Sequence, residues 1–468
     1  MKLRCLALLL ALAAPLLGAE RPNIVVVLID DMGWGDFSCF GNKEAQTPNI
    51  DRMATEGIRF KQFYVNSPIC SPSRCAITTG QYPQRWKITS FLENRKSNRM
   101  RGMAQWLDPQ APVAARVLQG SGYATGHFGK WHLGGQRDVD NAPPITAYGY
   151  DKSLTNFEGM GPKLLPLTLK PGDTEPKKIW EDAERLGGPA TWMLRSKITT
   201  GYLDPALEFM DQTVKDKKPF YVDLWPDDVH SPFWPPVEQW AQGKRPMYLS
   251  VLKEMDRQLG KFFDHIRDTP ELRDNTLVLI FSDNGPEPGA GSAGPFRGVK
   301  GTIYEGGIRS PLIVWGPGLI DKEKNGTVNE TSVFAAFDLA PSLLTVAKVD
   351  STKMVARDGE DLSATLTGKS TDSHKSPIFW RRPPDRKKVE GADQPDLAVR
   401  EGNWKLLCEY DGSKPQLYDL AKDEGETKDL AAEQKEAVER LVKAAVAWHQ
   451  SMPPDRGPEV AAGKVSEE

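Results

Sequence analysis

Apolar and polar positions along this chain follow two rhythms. Residues 23–29 (NIVVVLI) form an unbroken, largely β-branched run, the pattern of a strand buried on both faces of a parallel sheet. The run stops at Asp30 and Asp31. Thr47 and Pro48 then predict a helix start, with a hydroxyl at the capping position and proline at the first helical one. Ile50, Met53 and Ala54 form its inward face, and Gly57 closes it. Residues 58–65 predict a second strand, ahead of a loop that carries Cys70. Residues 221–224 predict another. Residues 276–281 (TLVLIF) repeat the first pattern and run into Ser282, Asp283, Asn284 and Gly285, and residues 312–315 predict one more buried strand.

Strands alternating with helical segments predict a doubly wound α/β domain with a mostly parallel sheet. Functional groups in such sheets collect beyond the carboxyl ends of the strands, and both acidic clusters fall there. Near residues 350–395 the composition turns polar and rich in charge and proline. Strand-like pieces at 397–399 and 404–409 follow, then a helix at 433–449 with Ala437, Leu441, Ala444, Ala445 and Trp448 on one face. The expected organisation is a catalytic domain at 20–372, a smaller C-terminal α+β subdomain at 373–451, and a tail at 452–468 whose proline, glycine and charge predict disorder.

Charge is nearly balanced, with 60 Lys and Arg against 63 Asp and Glu, so neither nucleic acid nor an acidic membrane is an expected partner. Residues 1–19 read as an export signal: Lys2 and Arg4, an apolar run at 6–17, and a small-residue cleavage site at Leu17-Gly18-Ala19. No later stretch is apolar enough to span a bilayer, so an integral membrane protein is not expected. The expected location is the periplasm or the medium, or the lysosome in an animal cell. Cys5 falls in the leader. Cys39, Cys70, Cys75 and Cys408 are too few for a disulfide framework.

Asp30, Asp31, Asp283 and Asn284 offer hard oxygen donors, which suit calcium or magnesium better than zinc. The six histidines lack metal-ligand spacing. A single Asp after a strand is more simply a cap; two clusters after matching strands point to a metal. In Cys70-Ser71-Pro72-Ser73-Arg74, Pro72 predicts a helix start. Cys70 then lies at its N-terminus, where free N–H groups and the dipole favour an anion, with Arg74 one turn on. A plain buried thiol and a protease-type thiol nucleophile stay open on these residues alone, although no histidine is paired with Cys70 in sequence.

The Cys70-x-Pro72-x-Arg74 pattern resembles the signature of the formylglycine-dependent sulfatase family, of arylsulfatase type. Residues 22–36 (PNIVVVLIDDMGWGD), 129–134 (GKWHLG), 281–285 (FSDNG) and 296–311 (FRGVKGTIYEGGIRSP) resemble further family blocks in the family's order, with weaker likeness at 358–362 and 417–430. The resemblance implies an alkaline-phosphatase-like fold and hydrolysis of sulfate esters of a sugar, glycan or aryl group. It implies that a formylglycine-generating, sulfatase-maturing enzyme oxidises Cys70. Of the hydrated aldehyde's two hydroxyls, one attacks sulfur and the other ejects sulfate. It implies one calcium ion (magnesium the alternative) on Asp30, Asp31, Asp283, Asn284 and the modified Cys70. Arg74 would steady the diol, and Lys130 and His132 would touch the diol and sulfate oxygens. Lys300 would neutralise charge on the sulfate and leaving oxygen, His230 would be the leaving-group acid, and Asp283 the base. His127 is expected to be structural and His265 a surface residue. Trp34, Trp225 and Trp234 either line a sugar-sized pocket or simply pack. Two other readings share the site: a phosphonate monoester or phosphodiester hydrolase, and a non-catalytic calcium-binding relative whose Cys70 is never oxidised. Specificity is expected in loops at 135–200 and 375–395.

Overall fold

A computed structural model describes residues 21–457 and 459, apart from 137–138, 355–357 and 386–393. The expected leader and most of the expected tail lie outside the described residues. The main sheet has strands β1 (Asn23–Ile29), β2 (Ile58–Tyr64), β3 (Ala124–Gly129), β4 (Lys152–Thr155), β5 (Lys163–Thr168), β6 (Lys177–Lys178), β7 (Ala190–Leu194), β8 (Phe220–Trp225), β9 (Thr276–Ser282), β10 (Arg309–Trp315) and β11 (Thr327–Ala335). Their spatial order is β11-β2-β10-β9-β1-β8-β3-β4-β5-β6, with β7 beside β5. All pairings are parallel except those of β10 with β2 and β9 and of β6 with β5. The apolar run at 312–315 predicted a strand there but carried no sign of its reversed direction.

The unbroken run in β1 has a simple cause. Its seven residues are all buried, and alternate side chains enter opposite layers: Ile24, Val26 and Leu28 join one core, Val25, Val27 and Ile29 the other. β9 splits in the same way, Leu277, Leu279 and Phe281 against Val278 and Ile280. Each buried Val, Ile or Leu contributes about 1.5–3 kcal/mol relative to exposure, so polar residues are held off until the strand ends.

The helix Pro48–Glu56 starts at the expected proline, but Thr47 does not cap it. The Thr47 hydroxyl instead donates to Asp51 Oδ1 (3.1 Å) and accepts from the Ser38 N–H (3.0 Å). A second, antiparallel sheet of β12 (Ile378–Arg381), β13 (Leu397–Glu401), β14 (Trp404–Cys408) and β15 (Gln416–Asp419) packs with the helix Lys435–Ser451. It shares a core with the main sheet; the Trp380 indole N–H, for example, donates to the Val65 carbonyl at 2.7 Å. Residues 452–457 lie against this body: Met452 is buried and Asp455 pairs with Arg381 at 3.1 Å. Cys39, Cys70, Cys75 and Cys408 are all free thiols. Among the described residues no helix is long and apolar enough to cross a membrane.

Candidate active site

Five neighbouring parallel strands, β9-β1-β8-β3-β4, end on one edge of the sheet, and each hands its next residues to the same place. β1 delivers Asp30 and Asp31; β9 delivers Asp283 and Asn284. β3 delivers Lys130 and His132, β8 leads to His230, and β4 leads to Glu158. Two close approaches set the backbone. A side chain at Gly129 would lie 2.1 Å from the Trp225 carbonyl, and one at Gly285 would lie 2.1 Å from the Gly306 carbonyl. Asp31 and His132 both adopt left-handed φ, at 57° and 56°, a costly conformation for residues with a Cβ.

One oxygen each from Asp30, Asp31 and Asp283 lies within 4.8 Å of the others, and all three side chains are fully buried. Cations surround them. Arg74 Nε donates to Asp283 Oδ2 (2.9 Å), its Nη2 lies 3.1 Å from Asp30 Oδ1, and its Nη1 donates to the Lys130 carbonyl (2.7 Å). Lys130 Nζ donates to Asp30 Oδ2 at 2.8 Å, and Lys300 Nζ to Asp31 Oδ2. Burial alone would raise all three carboxyls. Lys130 and Arg74 overcome it at Asp30, and Lys300 and His230 at Asp31, so both are lowered. Asp283 is raised by burial and by repulsion from Asp30, against the pull of Arg74.

Cys70 is the first residue of the helix Cys70–Thr79, two positions before the proline expected to open it, so its backbone lies at the positive end of the helix dipole. Its thiol is buried and raised by burial. It forms the floor of a cavity of about 730 Å³ whose walls include His132, Glu158, His230, Glu287 and Lys300. The Gly301 N–H donates to the Pro68 carbonyl at 2.8 Å, tying the Lys300 loop to the Cys70 loop.

Two tautomers follow from carbonyl partners, which can only accept. His230 Nδ1–H donates to the Ser231 carbonyl (2.7 Å), leaving Nε2 to face Asp31 Oδ2 at 3.5 Å. His132 Nε2–H donates to the Leu92 carbonyl (3.0 Å). Burial lowers both imidazoles, His132 to about 4.

Every residue singled out as catalytic or metal-binding is thus at this one site. The tryptophans do not line its cavity. Trp34 packs edge-on to Phe40 and Phe296, and Trp225 is buried beside Trp131 and Arg74. Trp234 lines a separate cavity of about 460 Å³. His127 is fully buried among Trp131, Tyr150 and Trp225, while His265 is half-buried and pairs with Asp211 at 2.8 Å. Sequence reasoning missed Glu158. It also missed Asp36, which takes N–H bonds from Gly33 (2.7 Å) and Ser292 (2.9 Å) and so joins the loops after β1 and β9. Asp36 was visible in the block at 22–36, although nothing there suggests its bridging role.

The doubly wound, mostly parallel sheet with a small antiparallel sheet beside it is an alkaline-phosphatase-like fold. The Sulfatase family matches residues 22–349, and the N-sulphoglucosamine sulphohydrolase C-terminal family matches residues 297–450. Human arylsulfatase A is 32% identical over 91% of this chain and 86% of that protein. The N-acetylgalactosamine-6-sulfatase of Sus scrofa is 34% identical over 80% of this chain and 72% of that protein. The crystal structure of Ps i-CgsB superposes with a TM-score of 0.75 at 25% identity, covering 94% of each chain. The chain belongs to the sulfatase family and is a sulfuric ester hydrolase.

Proposed function

We propose that the chain releases sulfate from a sulfated saccharide or aryl sulfate, using a formylglycine made from Cys70 and one divalent ion, calcium rather than magnesium. The observation that carries this is three buried carboxylates meeting one another behind a cavity that is lined by helix-tip Cys70, His230 and Lys300, the last two facing Asp31. The donor set fits a hard cation: among the described residues the metal-ligating atoms that converge are carboxylate oxygens, and Asn284 Oδ1 is buried without a hydrogen-bond partner. Asp30, Asp31, Asp283 and Asn284 would hold the ion, which when bound would supply Lewis-acid charge stabilisation at residue 70. Because burial raises the thiol, unmodified Cys70 is a poor nucleophile at neutral pH, which weighs against protease-type chemistry. The hydrated aldehyde would supply two hydroxyls at that position, one to attack sulfur and one to let sulfate leave.

The remaining work falls to side chains in place. Asp283 accepts the proton of the attacking hydroxyl. Lys130, His132 and Lys300 hold the sulfate oxygens, and Arg74 fixes the carboxylates beneath them. His230, with Nδ1–H committed to Ser231, gives the proton on Nε2 to the departing alcohol oxygen. Cys70 is only 2% exposed in the folded chain, so its maturing enzyme has to reach it before the fold closes. The apolar run at 6–17 supports export, residues 20–372 form the catalytic domain, and 373–451 form the C-terminal subdomain.

The test is a substrate panel of 4-nitrophenyl sulfate, bis(4-nitrophenyl) phosphate and a phenylphosphonate monoester, with defined sulfated saccharides beside them. The expected result is a higher kcat/KM on sulfate. Greater efficiency on the phosphorus esters overturns the proposal.

A further inference from the structure

Glu158 belongs to none of the blocks that point to the active site, yet its carboxylate stands in the cavity wall beside Cys70, His132, His230 and Lys300. It is held from every side. Oε2 lies 3.1 Å from Lys130 Nζ, and Oε1 accepts from Gln136 Nε2 (3.1 Å) and faces His132 Nε2 at 3.4 Å. Its N–H donates to Asn156 Oδ1 (2.8 Å), Asn156 Nδ2 donates to Asp227 Oδ2 (2.9 Å), and Asp227 pairs with Arg195 (2.6 Å). Burial would keep the Glu158 proton on, but the charges of His132, Lys130 and His230 bring the group down to about 2, so it is an anion at any working pH. His132, at about 4, is neutral near pH 7, and Lys130 then supplies the balancing charge.

A fixed anion at the edge of an anion pocket is a cost to every anionic ligand, and the cost doubles for a dianion. A sulfate monoester carries one negative charge. The inorganic sulfate it releases carries two, and a phosphate monoester carries about 1.5 to 2 near neutral pH.

We propose that Glu158 is a charge filter: a specificity residue that admits the monoanionic sulfate ester while disfavouring the dianionic product and dianionic phosphate monoesters. The proposal rests on the reading that sulfate sits among Lys130, His132 and Lys300. In the simpler alternative Glu158 only clamps Lys130, and its loss weakens all anions alike.

Calorimetric titration of the whole, calcium-supplemented protein with inorganic sulfate and with methyl sulfate separates the two. In Glu158→Gln, inorganic sulfate is expected to gain about tenfold in affinity relative to methyl sulfate. A tenfold change is about 1.4 kcal/mol, within what one extra unit charge near Glu158 produces at an effective dielectric of about 20. Glu158→Asp keeps the charge and is expected to keep the wild-type ratio even if Lys130 shifts and kcat falls. An unchanged ratio in Glu158→Gln, or loss of both anions from it, overturns the filter. Turnover of sulfate esters by the wild-type protein decides the broader reading separately, because these affinities need no turnover.

Discussion

Two groups of buried charges in this protein look alike in composition and differ in arrangement. At the seam between the sheets, Lys405 Nζ lies 2.9 Å from Glu305 Oε1 and 2.8 Å from Glu426 Oε1. Arg309 and the Tyr64 hydroxyl occupy Glu305 Oε2 at 3.3 and 2.6 Å. The lysine stands between the two acids. Behind the cavity floor the order is inverted: Asp30, Asp31 and Asp283 face one another, and Arg74, Lys130 and Lys300 lie around them. The seam separates like charges and closes on itself. The floor brings like charges together at the ends of parallel strands, next to a cavity. Buried charge alone does not mark a site; like charges forced face to face beside open space do.

Variants of each cluster break the comparison in opposite directions. Asp283→Asn removes the proposed base and one proposed metal ligand, and sulfate ester hydrolysis is expected to fall by about a thousandfold or more. Calcium-free unfolding is expected to change far less than activity, because asparagine keeps an oxygen for the Arg74 Nε–H and removes a carboxylate whose charge burial and Asp30 both oppose. Chemical denaturation alongside initial rates checks both halves. Lys405→Met does the reverse. It leaves Glu305 and Glu426 buried without their shared cation, with an expected loss of about 3–5 kcal/mol in unfolding free energy, while kcat per folded molecule stays near wild type.

His230 sharpens the floor side. His230→Asn is expected to slow a saccharide sulfate by about a hundredfold. The effect should be much smaller on 4-nitrophenyl sulfate, whose leaving group departs without a proton. Burial lowers His230 below its ordinary 6.5, so the acid form is present only under that pH. The kcat/KM for the saccharide is therefore expected to decline as pH rises through a value below 6.5, and the asparagine variant should lose that limb. A pH profile indifferent to the substitution removes His230 from the role of acid.

Much of the floor was legible in sequence because β1 and β9 are buried on both sides and announce themselves as apolar runs that stop at acids. The helix tip at Cys70 was legible through proline. Glu158 was not, since β4 has only four residues, one exposed and one half-buried, and no apolar run points to its end. The reversal of β10 was hidden for a related reason: strand direction depends on long-range pairing, and an antiparallel strand buried on both faces reads like a parallel one. Thr47 shows a local rule overruled by tertiary contact, where Asp51 and Ser38 claim the hydroxyl that the helix end would otherwise take. The seam lysine, Lys405, lies within a strand-like stretch (WKLLC) and gave no hint of the two glutamates that meet it from elsewhere in the chain.

The most direct test joins mass to rate. The tryptic peptide spanning Cys70 is weighed in preparations made with and without a formylglycine-generating enzyme, and calcium-supplied turnover of 4-nitrophenyl sulfate is measured on the same samples. Turnover is expected to scale with the fraction of peptide that has lost one sulfur and two hydrogens and gained one oxygen. Equal turnover from unconverted thiol, or none from converted protein, would contradict the assignment of residue 70 as the nucleophile.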